Sequence, residues 1–403
     1  MPVKDPPPLW LLVVLSALSV LPINMFVPSL PGIANDLAAG FALVNLAIAG
    51  YAVVSAGVHL LAGALSDRFG RRPVALVALS IFTLASAGCS LATDIQTFLL
   101  CRLLQAAVIA VYSVCLTAIR ETSEARLVAG RIGQVSSAWA VAPLIGPTIG
   151  GLIDAAFGWR ANFTVFAALG AAALCLTAVR FKETNLTRSG SFAVQIRGYR
   201  ELVRSGRFWA HALCMALSIG VLYVFLGGAP LVAAQLGNVS SVSLGMYMGI
   251  VPAGFILGSS IVGRLAHRHA PGHLILAGRT MACLGLLVGL ALCLLGVTHP
   301  MAFFGPCACV GLGNGLTMPT ANARVLSLSS TLAGTALGLA AAFTVAGAGF
   351  VAFLAGLIVD ASNANVAVLA VMLAVSVLSL IAAMAASFLE KAEVGSATSA
   401  DSA

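Results

Sequence analysis

The chain has 403 residues, of which 60% are hydrophobic and 8% charged, with a formal net charge of +8. Soluble domains carry roughly 25% charged residues, so a soluble enzyme and a disordered chain are excluded. No nucleic-acid partner is expected either, because the excess base is accounted for by loops at a membrane surface. About 240 apolar residues in long unbroken runs supply roughly twelve helical crossings at about 20 residues each, without the alternation of a membrane β-barrel.

Lys4 and a proline run precede the first apolar stretch, Leu9 to Pro31, which is too long for a signal segment and lacks a small-residue cleavage site, so it reads as a retained helix. Hydropathy, turn residues and charges then place spans at 9–31, 43–65, 74–92, 97–120, 132–154, 161–179, 208–236, 243–264, 273–297, 300–323, 333–359 and 364–388. The longest polar stretch, 180–207, is rich in arginine and divides a first six-helix bundle (1–179) from a second (208–388), and a small polar tail, 389–403, is expected to be disordered. Loops after even-numbered spans hold Arg68, Arg71, Arg72, Arg120, Arg126, Arg131, Arg264, Arg268 and Arg324, whereas loops after odd-numbered spans hold Arg160 and the acids Asp36, Asp94, Asp154 and Asp360. Basic loops stay in the cytoplasm, so both termini are expected there. The nine cysteines fall inside apolar runs and read as small core residues; Cys307 and Cys309 lack further ligands at metal spacing, so no metal is expected.

The two halves repeat each other, a mark of transporters built from structural repeats. Gly63-Ala-Leu-Ser-Asp67-Arg68 closes span two as Gly263-Arg-Leu-Ala-His-Arg268 closes span eight, and Gly151-Leu-Ile-Asp154 closes span five as Gly356-Leu-Ile-Val-Asp360 closes span eleven. Three segments carry chemistry. The first is the loop Gly63, Asp67, Arg68, Gly70, Arg71, Arg72. Asp67 can meet the positive end of a helix dipole near Leu332 to Gly334 at the start of span eleven and lock the halves when the cavity faces outward; the alternative is that the arginines only hold the loop inside. The second is Gly146-Pro147 with Gly150-Gly151 in span five, where glycines allow close helix approach and the proline permits a bend. The third is Arg102 with Gln105 in span four, a guanidinium that must face a cavity or partner unless it snorkels to the outer interface. Arg279, near the inner end of span nine, reads as a snorkeller.

The loop resembles the signature loop of the major facilitator superfamily, the span-five segment resembles the antiporter motif of its drug exporters, and Arg102 resembles its span-four motif, with Ala106 and Ala107 where glycine is usual. Over nearly the whole chain the resemblance is to the Bcr/CflA drug exporters, associated with bicyclomycin and chloramphenicol resistance. Phe26-Val-Pro-Ser-Leu-Pro31, Phe157-Gly-Trp-Arg160, Lys182-Glu-Thr184, Phe225-Leu-Gly-Gly-Ala-Pro230 and Leu332-Ala-Gly-Thr335 support it. The resemblance implies an all-α membrane protein of twelve spans in two pseudo-symmetric bundles, which exports small lipophilic antibiotics from the bacterial inner membrane. It further implies alternating access in exchange for protons, with no cofactor beyond the gradient, as a monomer. A dedicated metabolite exporter of the same fold is the alternative. No Walker-type loop is present, so no ATPase is expected, and Ser, His and Asp are not placed on common helix faces in the spans, so no intramembrane enzyme is expected either.

One departure concerns coupling: the family's span-one aspartate is replaced by Asn24, and every acid in the spans sits near an end. His59, Asp36, Asp154 and, at the inner start of span seven, His211 remain as titratable candidates for proton coupling. Spans one, four, seven and ten and their neighbours are expected to line the cavity, with Asn24, Met25, Tyr51, Arg102, Tyr112, Trp139, Tyr223 and Phe343 as its chemistry. A site without a mid-span acid favours neutral drugs over multivalent cations.

Overall fold

The structure is a computed structural model that describes residues 6–185, 202–237, 239–265, 271–327, 333–359 and 364–400. Its described residues form helices joined by short turns: α1 Leu9–Asn24, α2 Leu30–Asp36, α3 Phe41–Phe69, α4 Arg71–Leu91, α5 Ile95–Gln105, α6 Ile109–Thr122, α7 Ala125–Phe157 and α8 Trp159–Arg180, followed by α9 Gly206–Leu236, α10 Ser241–Met248, α11 Ile250–Leu265, α12 Pro271–Leu294, α13 Pro300–Ser327, α14 Ala333–Ile358 and α15 Ala364–Ala400. Among the described residues eleven helical stretches are long and apolar enough to cross a membrane, and α7 carries a shorter apolar stretch, Val141–Phe157. Leu91, Phe157 and Leu295 are among many large apolar side chains left exposed, as lipid-facing surfaces require.

Local chemistry sets the breaks. Pro28 interrupts span one at a short 3-10 turn, Val27–Ser29, between α1 and α2. Asp94 caps α5: its carboxylate accepts from the Thr97 N–H at 2.8 Å and the Thr97 hydroxyl at 2.7 Å, bonds that hold its pKa below the usual carboxylate value. Span four is broken by a second 3-10 turn, Ala106–Val108, at the two alanines flagged in the sequence.

The chain forms two compact units, residues 1–191 with 226–252, and residues 192–225 with 253–403. Within the first unit α10 packs on α7. The core of the first unit is aromatic: Phe98 meets Phe163 at 5.4 Å, and Phe26 and Phe166 each meet Phe163 at 5.9 Å between ring centroids. That of the second unit gathers Phe208, Met215, Ile275 and Val325. The tail expected to be disordered is helical through Ala400, because Ala, Glu and Lys continue α15 without a proline.

Candidate functional site

In the first unit Arg102 is fully buried and lies neither at an open surface nor at an interface. Its Nη1 donates to Gln105 Oε1 at 2.5 Å and its Nη2 to the Ala47 carbonyl at 3.2 Å, while the guanidinium carbon stands 4.1 Å from the Phe26 ring centre, 4.8 Å from Tyr51 and 5.9 Å from Phe163. Gln105 in turn donates to Ser86 Oγ at 2.7 Å. No carboxylate pairs with this cation among the described residues; π faces and neutral dipoles hold it. Of the residues assigned to a cavity, the structure thus brings Tyr51 and Arg102 together, and the sequence reading missed Phe26 and Phe163 as the other walls.

Asn24 and Met25 are also buried, against span five. A Cβ on Gly146 would have Asn24 Cβ at 3.7 Å and Met25 Cα at 3.8 Å, ordinary contact, whereas a Cβ on Gly150 would overlap the Met25 carbonyl oxygen, so only glycine lets the two backbones meet. Pro147 and Gly151, on the same segment, face α10: Gly245 closes on the Pro147 carbonyl, and Gly151 on the Ser241 carbonyl. Asn162 ties the joint from span six, donating to Ser29 Oγ at 3.0 Å and to the Gly150 carbonyl at 3.1 Å.

The loop after span two is the most connected polar cluster of the unit. Arg71, 4% exposed, pairs with Asp67 at 2.5 Å and Glu121 at 2.8 Å, and donates to Ser66 Oγ at 2.6 Å. Glu121 also accepts from Thr184 Oγ1 at 2.6 Å, and Asn185 donates to the Asp67 carbonyl at 2.8 Å. Glu183 caps α4, accepting the N–H of Arg71 at 2.8 Å and of Arg72 at 3.2 Å. Gly70, at φ 103°, carries the chain into this cap, and a side chain there would strike the Glu183 carboxylate. Arg68 lies over Phe69, half-buried Gly63 precedes the turn, and Arg72 reaches the Ala178 carbonyl at 2.7 Å. The expected partner of Asp67 at the start of span eleven includes residues outside the described ones. Glu121, Glu183, Thr184 and Asn185 were missed as parts of this cluster; the signal was the rarity of acids in the chain.

The remaining candidates are separate. Asp36 is paired with Arg160 at 2.5 Å and accepts from Trp159 Nε1 at 2.9 Å, Asp154 accepts from Ser241 Oγ at 2.9 Å, and His59 is half-buried in span two. Tyr112 is half-buried, and the side chain of Trp139 lies outside the described residues. In the second unit Tyr223 is half-buried, Phe343 packs on Trp209 with ring centres 5.0 Å apart, and His211 is buried. Arg279 is not a snorkeller: fully buried, it donates from Nε to Thr317 Oγ1 at 2.9 Å and from Nη2 to Asn314 Oδ1 at 2.7 Å, partners on span ten that hold it inward. Among the described residues no group of three or more His, Cys, Asp or Glu is placed to hold a metal.

Comparison with known proteins fits this architecture. The Major Facilitator Superfamily profile matches residues 12–352. The chain belongs to that superfamily. A major facilitator is a transporter and not an enzyme. The chain is 31% identical over 309 residues to a chloramphenicol resistance protein of Pseudomonas aeruginosa, covering 73% of this chain and 71% of that one. It is 31% identical over 215 residues to the multidrug resistance protein MdtL of Escherichia fergusonii, a match spanning 53% of this chain and 55% of MdtL. Solved structures share the fold: a bacterial homologue of the human lysosomal transporter Spinster, inward-facing and unoccupied, has a TM-score of 0.76 at 15% identity over 94% of this chain and 95% of its own. The nucleoside transporter NupG, as a mutant, has a TM-score of 0.77 at 13% identity, covering 94% of this chain and 99% of NupG.

Proposed function

We propose that this major facilitator is a drug exporter of the bacterial inner membrane, carrying small uncharged lipophilic antibiotics of the amphenicol or bicyclomycin type outward in exchange for protons. In this reading it works as a monomer by alternating access, with both termini cytoplasmic. The observation that carries the reading is the likeness to the chloramphenicol resistance protein of Pseudomonas aeruginosa, aligned over 73% of this chain. The charge pattern supports an uncharged cargo. Asn24 stands where the resembled family has an acid, the acids in the spans sit near their ends, and Arg102 adds a buried positive charge, so the interior of the first unit attracts no cation.

The glycine joint of spans one and five and the Arg71 cluster are the parts this reading assigns to conformational change, with Asp67 as the gate. Coupling runs through a titratable group other than a span-one aspartate, and His59 is the candidate inside a span. The experiment is drug susceptibility of an efflux-deficient bacterium expressing the chain, tested with amphenicols, bicyclomycin and cationic dyes, with and without a protonophore. Raised resistance to several unrelated neutral drugs that the protonophore abolishes is the expected result, with a gain toward cations in Asn24→Asp. No resistance to any compound, with the protein present in the membrane, would refute the reading.

A further inference from the structure

Arg279 has no carboxylate partner among the described residues. A guanidinium keeps its proton in proteins, and this one is fully buried. Two of its nitrogens are occupied by the neutral oxygens of Thr317 and Asn314, while Nη1 is buried without a hydrogen-bond partner among the described residues. The sequence contains no Asp or Glu between Glu201 and Asp360, and span twelve has none before Glu390, so spans seven to twelve provide dipoles but no countercharge. The other two buried arginines are treated differently. Arg71 has Asp67 and Glu121, and Arg102 has three aromatic faces, whereas no ring faces Arg279 among the described residues.

The hydrogen-bond partners of Arg279 among the described residues are neutral, and further hydroxyl and thiol groups lie on the neighbouring spans. Cys283, one helical turn along span nine, gives its thiol hydrogen to Ser376 Oγ at 3.4 Å, which leaves the Ser376 hydroxyl hydrogen to donate, and Ser376 is itself fully buried. Asn314 donates to the Ser218 carbonyl at 3.2 Å, so its amide is turned with the oxygen toward the guanidinium and is fixed there. Burying a lone cation among neutral dipoles is costly, and a counter-ion that reaches its free N–H removes most of that cost.

We propose that Arg279 anchors an anion site inside the second unit, taking one compact monoanionic group through Nη1. The group is a free halide, or the same charge carried by a small free carboxylate. The proposal rests on the transporter assignment alone and is independent of which drugs are carried.

The test is thermal unfolding of the purified full chain in detergent, at fixed ionic strength, in sodium chloride, bromide, acetate or gluconate, for wild type and Arg279→Gln. The expected result is a saturable rise of about 2–4 °C for wild type in chloride and bromide over gluconate, absent in Arg279→Gln. In gluconate the glutamine variant should be no less stable than wild type, because it has lost an unbalanced charge. A saturable rise in acetate alone, again lost in the variant, supports the carboxylate source. The proposal is overturned by no saturable response in wild type, by the same response in both proteins, or by a variant equally destabilised in gluconate and chloride. If Arg279→Gln does not fold, Arg279→Lys decides: it should keep the response with the half-saturating concentration raised at least about threefold, and an unchanged value overturns the site.

Discussion

Replacing Glu183 with glutamine tests whether the residues after span six hold the loop after span two. The Glu183 carboxylate accepts four backbone N–H groups, from Arg71 at 2.8 Å, Arg72 at 3.2 Å, Thr184 at 3.1 Å and Asn185 at 3.0 Å. Three of these reach Oε1 and survive in a glutamine, but the Arg72 N–H reaches Oε2, which becomes an amide donor. The change also removes a negative charge from the N-terminus of α4, worth about 0.3–1 kcal/mol near a surface. A lost hydrogen bond to a charged group adds about 1.5–3 kcal/mol when buried. Glu183 is half-buried, so the sum falls at about 1–2 kcal/mol, a local opening made about 5- to 30-fold more frequent. Hydrogen exchange on the full chain in detergent reads this directly, at the amides of Arg71 and Arg72. A change below about twofold at those amides, or an equal change throughout span three, would refute the capping argument.

Gly150→Ala forces a side-chain carbon onto the Met25 carbonyl and is expected to cost about 1–3 kcal/mol, read as a fall in unfolding temperature, whereas Gly146→Ala meets only ordinary contacts and should be neutral or slightly stabilising. Asp67→Asn should leave membrane insertion intact and change stability by no more than about 1 kcal/mol, since Asp67 is 46% exposed, yet sharply reduce transport; normal transport would reduce the loop to a topology signal. Asp36→Asn removes an exposed ion pair with Arg160 and should shift stability by less than about 1 kcal/mol with export retained, so loss of proton dependence in that variant would make Asp36 a coupling group. Removing residues 390–403 should leave export unchanged, and a drop in resistance at equal protein level would give the helical end of α15 a role.

The twelve spans were legible because each needs about 20 apolar residues in a row, a signal written in one dimension. The repeats at Gly63 and Gly263 likewise showed themselves as local strings. What sequence order hid was pairing across distance. Arg279 sits eight residues from the start of α12 and so looked able to reach the interface, but Asn314 and Thr317, 35 and 38 residues away, hold it inside. Glu183 looked like linker because its partner amides lie 111 and 112 residues earlier. The packing of α10 on α7 depends on Gly245 meeting the Pro147 carbonyl and Gly151 the Ser241 carbonyl, which composition alone does not reveal. The tail misled for another reason: polar composition suggested disorder, yet Ala, Glu and Lys are also good helix formers.

Rings arranged about a cation, as Phe26, Tyr51 and Phe163 are about Arg102, form the kind of receptor that captures quaternary ammonium ions from water. Here the occupant arrives on the same polypeptide. A tethered group competes at an effective concentration of about millimolar or more and is never washed out. Occupancy is set by covalent connectivity, and shortening the occupant, as in Arg102→Ala, would leave the three rings without the group they enclose.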